Sequence, residues 1–183
     1  MISGEEMLRH IKLRQSDRGY EERPVEKEKL ERILEAGRMA PSACNSQPWK
    51  FIVVDEPDLK SKIADAASAK ALGFNRFTRE VPVFIIIVRE KPKVISRIGG
   101  TIKDRDYSLI DVGTAAENIC LQAAAEGLGS CMLGWFNEKL VKKFLKVPAG
   151  KRAELIITLG YPSKAYRKKQ RKPTEEVVSF NKY

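Results

Sequence analysis

A layered domain that mixes helices with strands is the fold this sequence predicts, and three observations point to it. Apolar residues recur at helical spacing in several stretches, such as Met7, Leu8 and Ile11, or Leu30, Ile33 and Leu34. Between them stand short runs rich in aromatic and β-branched residues: Trp49 to Asp55 (WKFIVVD), Val83 to Val88 (VFIIIV) and Ala153 to Tyr161 (AELIITLGY), each of strand length. At 183 residues, 43% of them hydrophobic and 32% charged, the chain has the size and balance of one folded domain, 1–183. A domain this long buries roughly 70% of its unfolded surface, enough for a sizeable core.

Taken in order, the first helix opens on a capping box, because Ser3 and Glu6 stand at S-x-x-E spacing, and it runs to about Leu13. Directly after it comes Arg14-Gln15-Ser16-Asp17-Arg18. Two guanidiniums four apart with a hydroxyl between them can converge on one phosphate, or simply stand on a solvated face. Pro24 precedes a second helix, striped by Leu30, Ile33, Leu34 and Met39. That helix ends in Ala40 to Phe51, APSACNSQPWKF, where two prolines and two side-chain amides take the backbone out of regular structure. A binding loop fits this pattern, and so does a plain helix stop whose Ser42 and Asn45 satisfy turn amides. Beyond the first strand, Glu56-Pro57 leads into a helix over about Asp58 to Ala69, and Asn75 then sits in a short turn.

Val83 to Val88 is continuously apolar, the pattern of a strand buried on both faces. The stretch from Arg89 to Asp106 is polar and weakly patterned, with Gly99-Gly100 inside it. Tyr107 to Glu126 is the longest helical candidate; its small and apolar residues face most directions, which predicts a buried helix. Gly127 to Gly134 contains G-x-G spacing, but a helix precedes it and a strand-like run follows, the reverse of a phosphate-binding glycine turn. Asn137 caps a short helix through Leu145, and Pro148-Ala149-Gly150 turns the chain into its last core strand. The tail crowds Lys164, Arg167, Lys168, Lys169, Arg171 and Lys172 ahead of Pro173, then turns apolar from Val177 to Phe180.

The net charge of +10, from 34 basic and 24 acidic residues, favours an anionic partner: nucleic acid, a membrane surface or a phosphorylated cofactor. Three cysteines, Cys44, Cys120 and Cys131, match neither C-x-x-C spacing nor a disulfide framework and are expected as thiols. The single histidine, His10, lies in a helical pattern with no second ligand at metal spacing, so a histidine zinc site is not expected. Neither a signal-peptide pattern nor an apolar run of ~20 residues is present, and a cytoplasmic protein is expected.

The string Pro41-Ser42-Ala43-Cys44-Asn45-Ser46-Gln47-Pro48-Trp49 resembles the signature loop of the nitroreductase family, flavoenzymes that hold FMN at a homodimer interface. The resemblance implies an α+β, three-layer fold with a mainly antiparallel sheet between helices. It further implies an intertwined homodimer, with the long helix at the dimer contact and the segment Val177 to Phe180 exchanged onto the partner's sheet edge. It places Pro41, Ser42, Ala43, Asn45 and Gln47 against the flavin. The R-x-S-x-R grip on the FMN phosphate matches Arg14, Gln15, Ser16 and Arg18, and a K-x-R pair that completes it matches Lys169 and Arg171. Asn75 matches an asparagine that contacts the flavin, and Met132, Leu133 and Gly134 match the segment that lines the ring. Trp135 departs from the small residue more usual there, which places an indole at the pocket, and Cys44 is expected as a small buried filler.

The activity implied is transfer of hydride from NADH or NADPH through bound FMN to a nitroaromatic, quinone or similar acceptor, in ping-pong order. No catalytic side chain is required, since the cofactor carries the redox chemistry. Another flavin chemistry on the same scaffold, reductive dehalogenation or flavin breakdown, is the main alternative, and the residues of 89–106 would decide it. A nucleic-acid-binding module has only the basic tail in its favour, without helix-turn-helix, zinc-finger or aromatic-interleaved basic patterns. Neither nucleic acid nor a membrane is therefore expected as a partner.

Overall fold

The computed structural model describes residues 2–68, 74–92 and 105–183. The predicted helix end at Ala69 and most of the polar 89–106 stretch lie outside the described residues. The helices are α1 (Gly4–Leu13), α2 (Lys27–Arg38), α3 (Pro57–Ala67), α4 (Tyr107–Ala125), α5 (Glu138–Phe144) and α6 (Thr174–Val177). The strands are β1 (Trp49–Val54), β2 (Val83–Arg89), β3 (Gly129–Leu133) and β4 (Arg152–Gly160).

Local chemistry sets several helix starts. At α1 the predicted capping box forms: Glu6 N donates to Ser3 Oγ at 3.1 Å and Ser3 N to Glu6 Oε2 at 2.7 Å. At α3, Pro57 occupies the first turn, where no amide is needed, and the Glu56 carboxylate accepts from Asp58 N and Leu59 N. Asn137 Oδ1 accepts from Leu140 N at 3.1 Å, capping α5 as expected.

The strands pair antiparallel throughout, in the order β1-β2-β4-β3. β2 is the centre of the core. Phe84, Ile86 and Val88 point to one face with Ile63, Val141 and Ile156, while Val83, Ile85 and Ile87 point to the other with Ile33, Val112 and Ile119. Helices α3 and α5 thus cover one face and α2 and α4 the other, giving three layers. The α2–α4 contact is close because Gly37 has no side chain; a Cβ there would lie 2.7 Å from Ile119 Cγ1.

Two elements leave apolar surface uncovered in the single chain. The long helix is buried along one side only: Val112, Ala115, Ala116, Ile119 and Ala123 are in the core, while Leu109 and Ile110 are exposed. This sheet and its helices cover just that side. The apolar end of the chain forms no strand within this chain. Thr174–Val177 is a single helical turn with Pro173 at its N-cap and Glu175 and Glu176 in its first turn, an arrangement that favours a helix start. Val177, Val178 and Phe180 are exposed.

Candidate functional site

The stretch after α1 is docked beside β3. Ser16 forms a parallel bridge with Ser130, and Asp17 N donates to Ser130 O at 2.9 Å. Asp17 is buried, and its Oδ2 lies against Gly129, where a Cβ would come within 2.7 Å. Burial pushes its carboxyl up, against the opposing hydrogen bond from Gln15 Nε2 to Asp17 Oδ1 at 2.7 Å.

The basic tail returns to this stretch across about 150 residues of sequence and straps onto it. Tyr166 OH donates to Lys12 O at 2.7 Å, Arg167 N to Gln15 Oε1 at 3.0 Å, and Arg167 Nη2 to Ser16 O at 2.5 Å. Lys169 Nζ donates to Arg14 O and stands 5.3 Å from the centre of the Tyr166 ring. The result is an open cleft of about 470 Å³ lined by Arg14, Gln15 and Ser16 on one side and Arg167 through Arg171 on the other. Arg14, Arg167, Lys168, Lys169 and Arg171 make it strongly cationic, with no acidic side chain in its lining among the described residues. Arg14 Nε is buried; it lies 3.3 Å from Glu117 Oε1 but has no hydrogen-bond partner among the described residues.

The cleft therefore unites five residues predicted from sequence: Arg14, Gln15, Ser16, Lys169 and Arg171. Gln15 acts there as a bracket, since its amide is bonded to Asp17 at one end and to the tail at the other. Arg18 is not in the lining; its side chain is exposed and its carbonyl accepts from Lys164 Nζ at 2.9 Å. Arg167 and Lys168 went unnoticed as site residues in the sequence, although they belong to the basic run that flagged the region.

The loop 41–48 leaves regular structure as its composition implied. Cys44, Asn45 and Gln47 have φ of 53°, 49° and 49°, left-handed values that non-glycine residues seldom adopt. Internal bonds hold the shape: Gln47 N donates to Ser42 Oγ at 2.9 Å and Gln47 Nε2 to Asn45 Oδ1 at 2.8 Å. Ala43 N donates at 3.0 Å to Asp111 Oδ1 on α4, a contact the sequence did not signal. Cys44 is exposed, correcting the expectation of a buried filler; its left-handed backbone lies in the turn rather than in the core. None of Pro41, Ser42, Ala43, Asn45 and Gln47 lines the basic cleft.

A third group lies at the end of β3. Leu133 is buried in the core and Met132 is half-buried, so Gly134 is the exposed member, with open space about its Cα. Trp135 follows with 65% of its surface exposed. Asn75, in a left-handed conformation, donates through Nδ2 to Ala67 O at 3.1 Å and to Trp135 O at 3.3 Å, tying this segment to the end of α3. Burial pushes the Cys120 thiol up to about 11 and raises that of Cys131, which keeps both protonated. His10 is bonded to Leu121 O at 2.8 Å, and among the described residues no cluster could hold a metal. No helix among them is long and apolar enough to cross a membrane.

The Nitroreductase family model matches residues 11–76 and 66–161, which span the Arg14–Arg18 stretch, the loop 41–48, α4 and the end of β3 but not the tail. The chain belongs to the nitroreductase family. An FMN-dependent nitroreductase from Clostridium difficile R20291 superposes with a TM-score of 0.80 at 31% identity, covering 97% of this chain and all of that one. A nitroreductase family protein from Clostridium novyi NT gives a TM-score of 0.76 at 33% identity over 85% of this chain and 84% of its own. An iodotyrosine deiodinase of Thermotoga neapolitana is 26% identical over 192 residues, 94% of this chain and 96% of that protein. The α+β fold with its antiparallel four-stranded sheet is the family's fold.

Proposed function

We propose that this nitroreductase is a cytoplasmic, single-domain FMN-dependent oxidoreductase that passes hydride from NADH or NADPH to an oxidised acceptor such as a nitroaromatic or quinone. The convergence of Arg14, Ser16, Lys169 and Arg171 on one cationic cleft is the observation that carries this reading. Their chemistry fits a phosphate monoester: the two arginine forks and the lysine ammonium would surround it, and Arg14 Nε is buried with no hydrogen-bond partner among the described residues. Bound FMN would supply the redox chemistry.

The protein's part is to position and to shield. The cleft residues hold the phosphate, with Gln15 and Arg167 keeping the two chain segments in register. Ser42, Ala43, Asn45 and Gln47 present the loop to the ring and its chain, with Asn75 bracing the Gly134–Trp135 segment on another side. Because none of the loop residues lines this cleft, the reading includes a homodimer in which each flavin meets the cleft of one protomer and the loop of the other. The exposed Leu109 and Ile110 of α4, the exposed Met7, Leu8 and Ile11 of α1, and the exposed Val177, Val178 and Phe180 of the tail suit such an interface, with the tail exchanged. Donor and acceptor would occupy the same place in turn, which is ping-pong order.

Purified protein should be yellow and release FMN, not FAD, on denaturation, and initial rates at varied donor and acceptor should give parallel double-reciprocal lines. Colourless protein that takes up no added FMN would defeat the reading. The deiodinase similarity supports reductive dehalogenation as a second reading. Release of iodide from iodotyrosine by the dithionite-reduced, FMN-loaded protein would favour it over nitro or quinone reduction.

A further inference from the structure

Asp111 has a buried carboxylate that is only half used. It lies on α4 and is 6% exposed. Its Oδ1 accepts from Ala43 N at 3.0 Å, fixing the turn in which Cys44 and Asn45 are left-handed. Its Oδ2 is buried and has no hydrogen-bond partner among the described residues. Holding the loop requires one acceptor, which a neutral asparagine would provide without placing a charge in the interior. A carboxylate with an unmet buried oxygen is unfavourable unless a second donor arrives. The loop does not provide one from the amides that shape it: Asn45 N donates to Ser42 O, Ser46 N to Ala43 O, and Gln47 through both its amides to Ser42 and Asn45. Burial raises the carboxyl's pKa, the Ala43 bond lowers it, and the nearby negative charge of Asp106 raises it again.

We propose that Asp111 is the positioning residue of the cofactor loop, with Oδ1 fixing Ala43 and Oδ2 kept for a hydroxyl or N–H donor that arrives with the flavin nucleotide. This rests on the FMN reading above. The carboxylate is then fully hydrogen-bonded only in the loaded protein, so loop shape and cofactor occupancy are coupled through one side chain.

The test is a fluorescence titration of apoprotein with FMN for wild type, Asp111→Asn and Asp111→Ala, alongside apoprotein melting and sedimentation. Asp111→Asn can keep an acceptor for Ala43 but sets an amide N–H₂ where Oδ2 stood. It should bind FMN at least tenfold more weakly while its apoprotein melts no lower than wild type, a combination that a merely structural role would not produce. Asp111→Ala should lose both affinity and melting temperature. An asparagine variant with wild-type FMN affinity would overturn the proposal, as would an affinity loss that only tracks apoprotein destabilisation. Weaker self-association with intact FMN affinity would also overturn it, by assigning the donor to the partner subunit. A wild type that takes up no FMN would defeat the functional reading as well, whereas a binding wild type matched by its asparagine variant would defeat this inference alone.

Discussion

Arg14→Ala offers the most direct test of the cationic cleft. The side chain lines the cleft, its Nε is buried with no hydrogen-bond partner among the described residues, and the Glu117 carboxylate is 3.3 Å away. A hydrogen bond to a charged phosphate contributes roughly 1.5–3 kcal/mol, or about ten- to a hundredfold in affinity. The Arg14–Glu117 pair is partly exposed, at 24% and 41%, so its loss removes under ~1 kcal/mol of stability. Lys169 bonds the backbone carbonyl of Arg14, which alanine retains, so the strap should stay in place. Titration of apoprotein with FMN and with riboflavin separates phosphate binding from ring binding. Arg14→Ala should lower FMN affinity at least tenfold and leave riboflavin affinity unchanged, and the FMN-saturated variant should turn over nearly as wild type. Arg18→Ala, outside the cleft, should keep the wild-type ratio of FMN to riboflavin affinity, and Lys62→Ala, exposed on α3, should change neither. An unchanged ratio in Arg14→Ala would refute the assignment of this cleft to phosphate.

Three further outcomes are expected. Gly37→Ala should destabilise the protein by roughly 1–3 kcal/mol, because the new Cβ meets Ile119 at 2.7 Å; helix propensity alone predicts the opposite sign, so calorimetry showing a higher melting temperature would refute the packing argument. Glu126 is held down at about 2, chiefly by its hydrogen bonds from Arg32, below the ~4.3 of an unfolded glutamate. A depressed acid stabilises the fold above its unfolded pKa, so the advantage of wild type over Glu126→Gln, under ~1 kcal/mol or about 2–4 °C, should be present at pH 7 and fade as pH falls from ~4.3 towards 2. A gap unchanged at pH 2.5 would contradict this. A chain ending at Lys168 removes Lys169, Arg171 and the apolar tail, and should lose FMN and shift towards monomer on sizing; a dimer with full flavin content would count against the two-subunit site.

What the sequence determined by itself is local. The capping box of Ser3 and Glu6, the proline start of α3 and the Asn137 cap act over three or four residues, so their effect could be read from neighbours alone. The unbroken apolar run of β2 announced a strand covered on both faces, because no side of it could meet water. The loop 41–48 was legible as irregular, and its resemblance to a signature loop pointed to the cofactor. The tertiary structure decided what depends on distant surfaces meeting. The strand order β1-β2-β4-β3 and the return of Tyr166, Arg167 and Lys169 onto Lys12 through Ser16 join segments about 150 residues apart, through hydrogen bonds whose partners no local pattern names. The same holds for Asp111, whose value lies in an amide on another element, and for Arg18, which shares a motif with Arg14 yet does not line the cleft. Periodicity and capping are set by the chain's nearest neighbours, whereas a site is set by which packed elements bring their polar groups to one place, and that follows only from the folded arrangement.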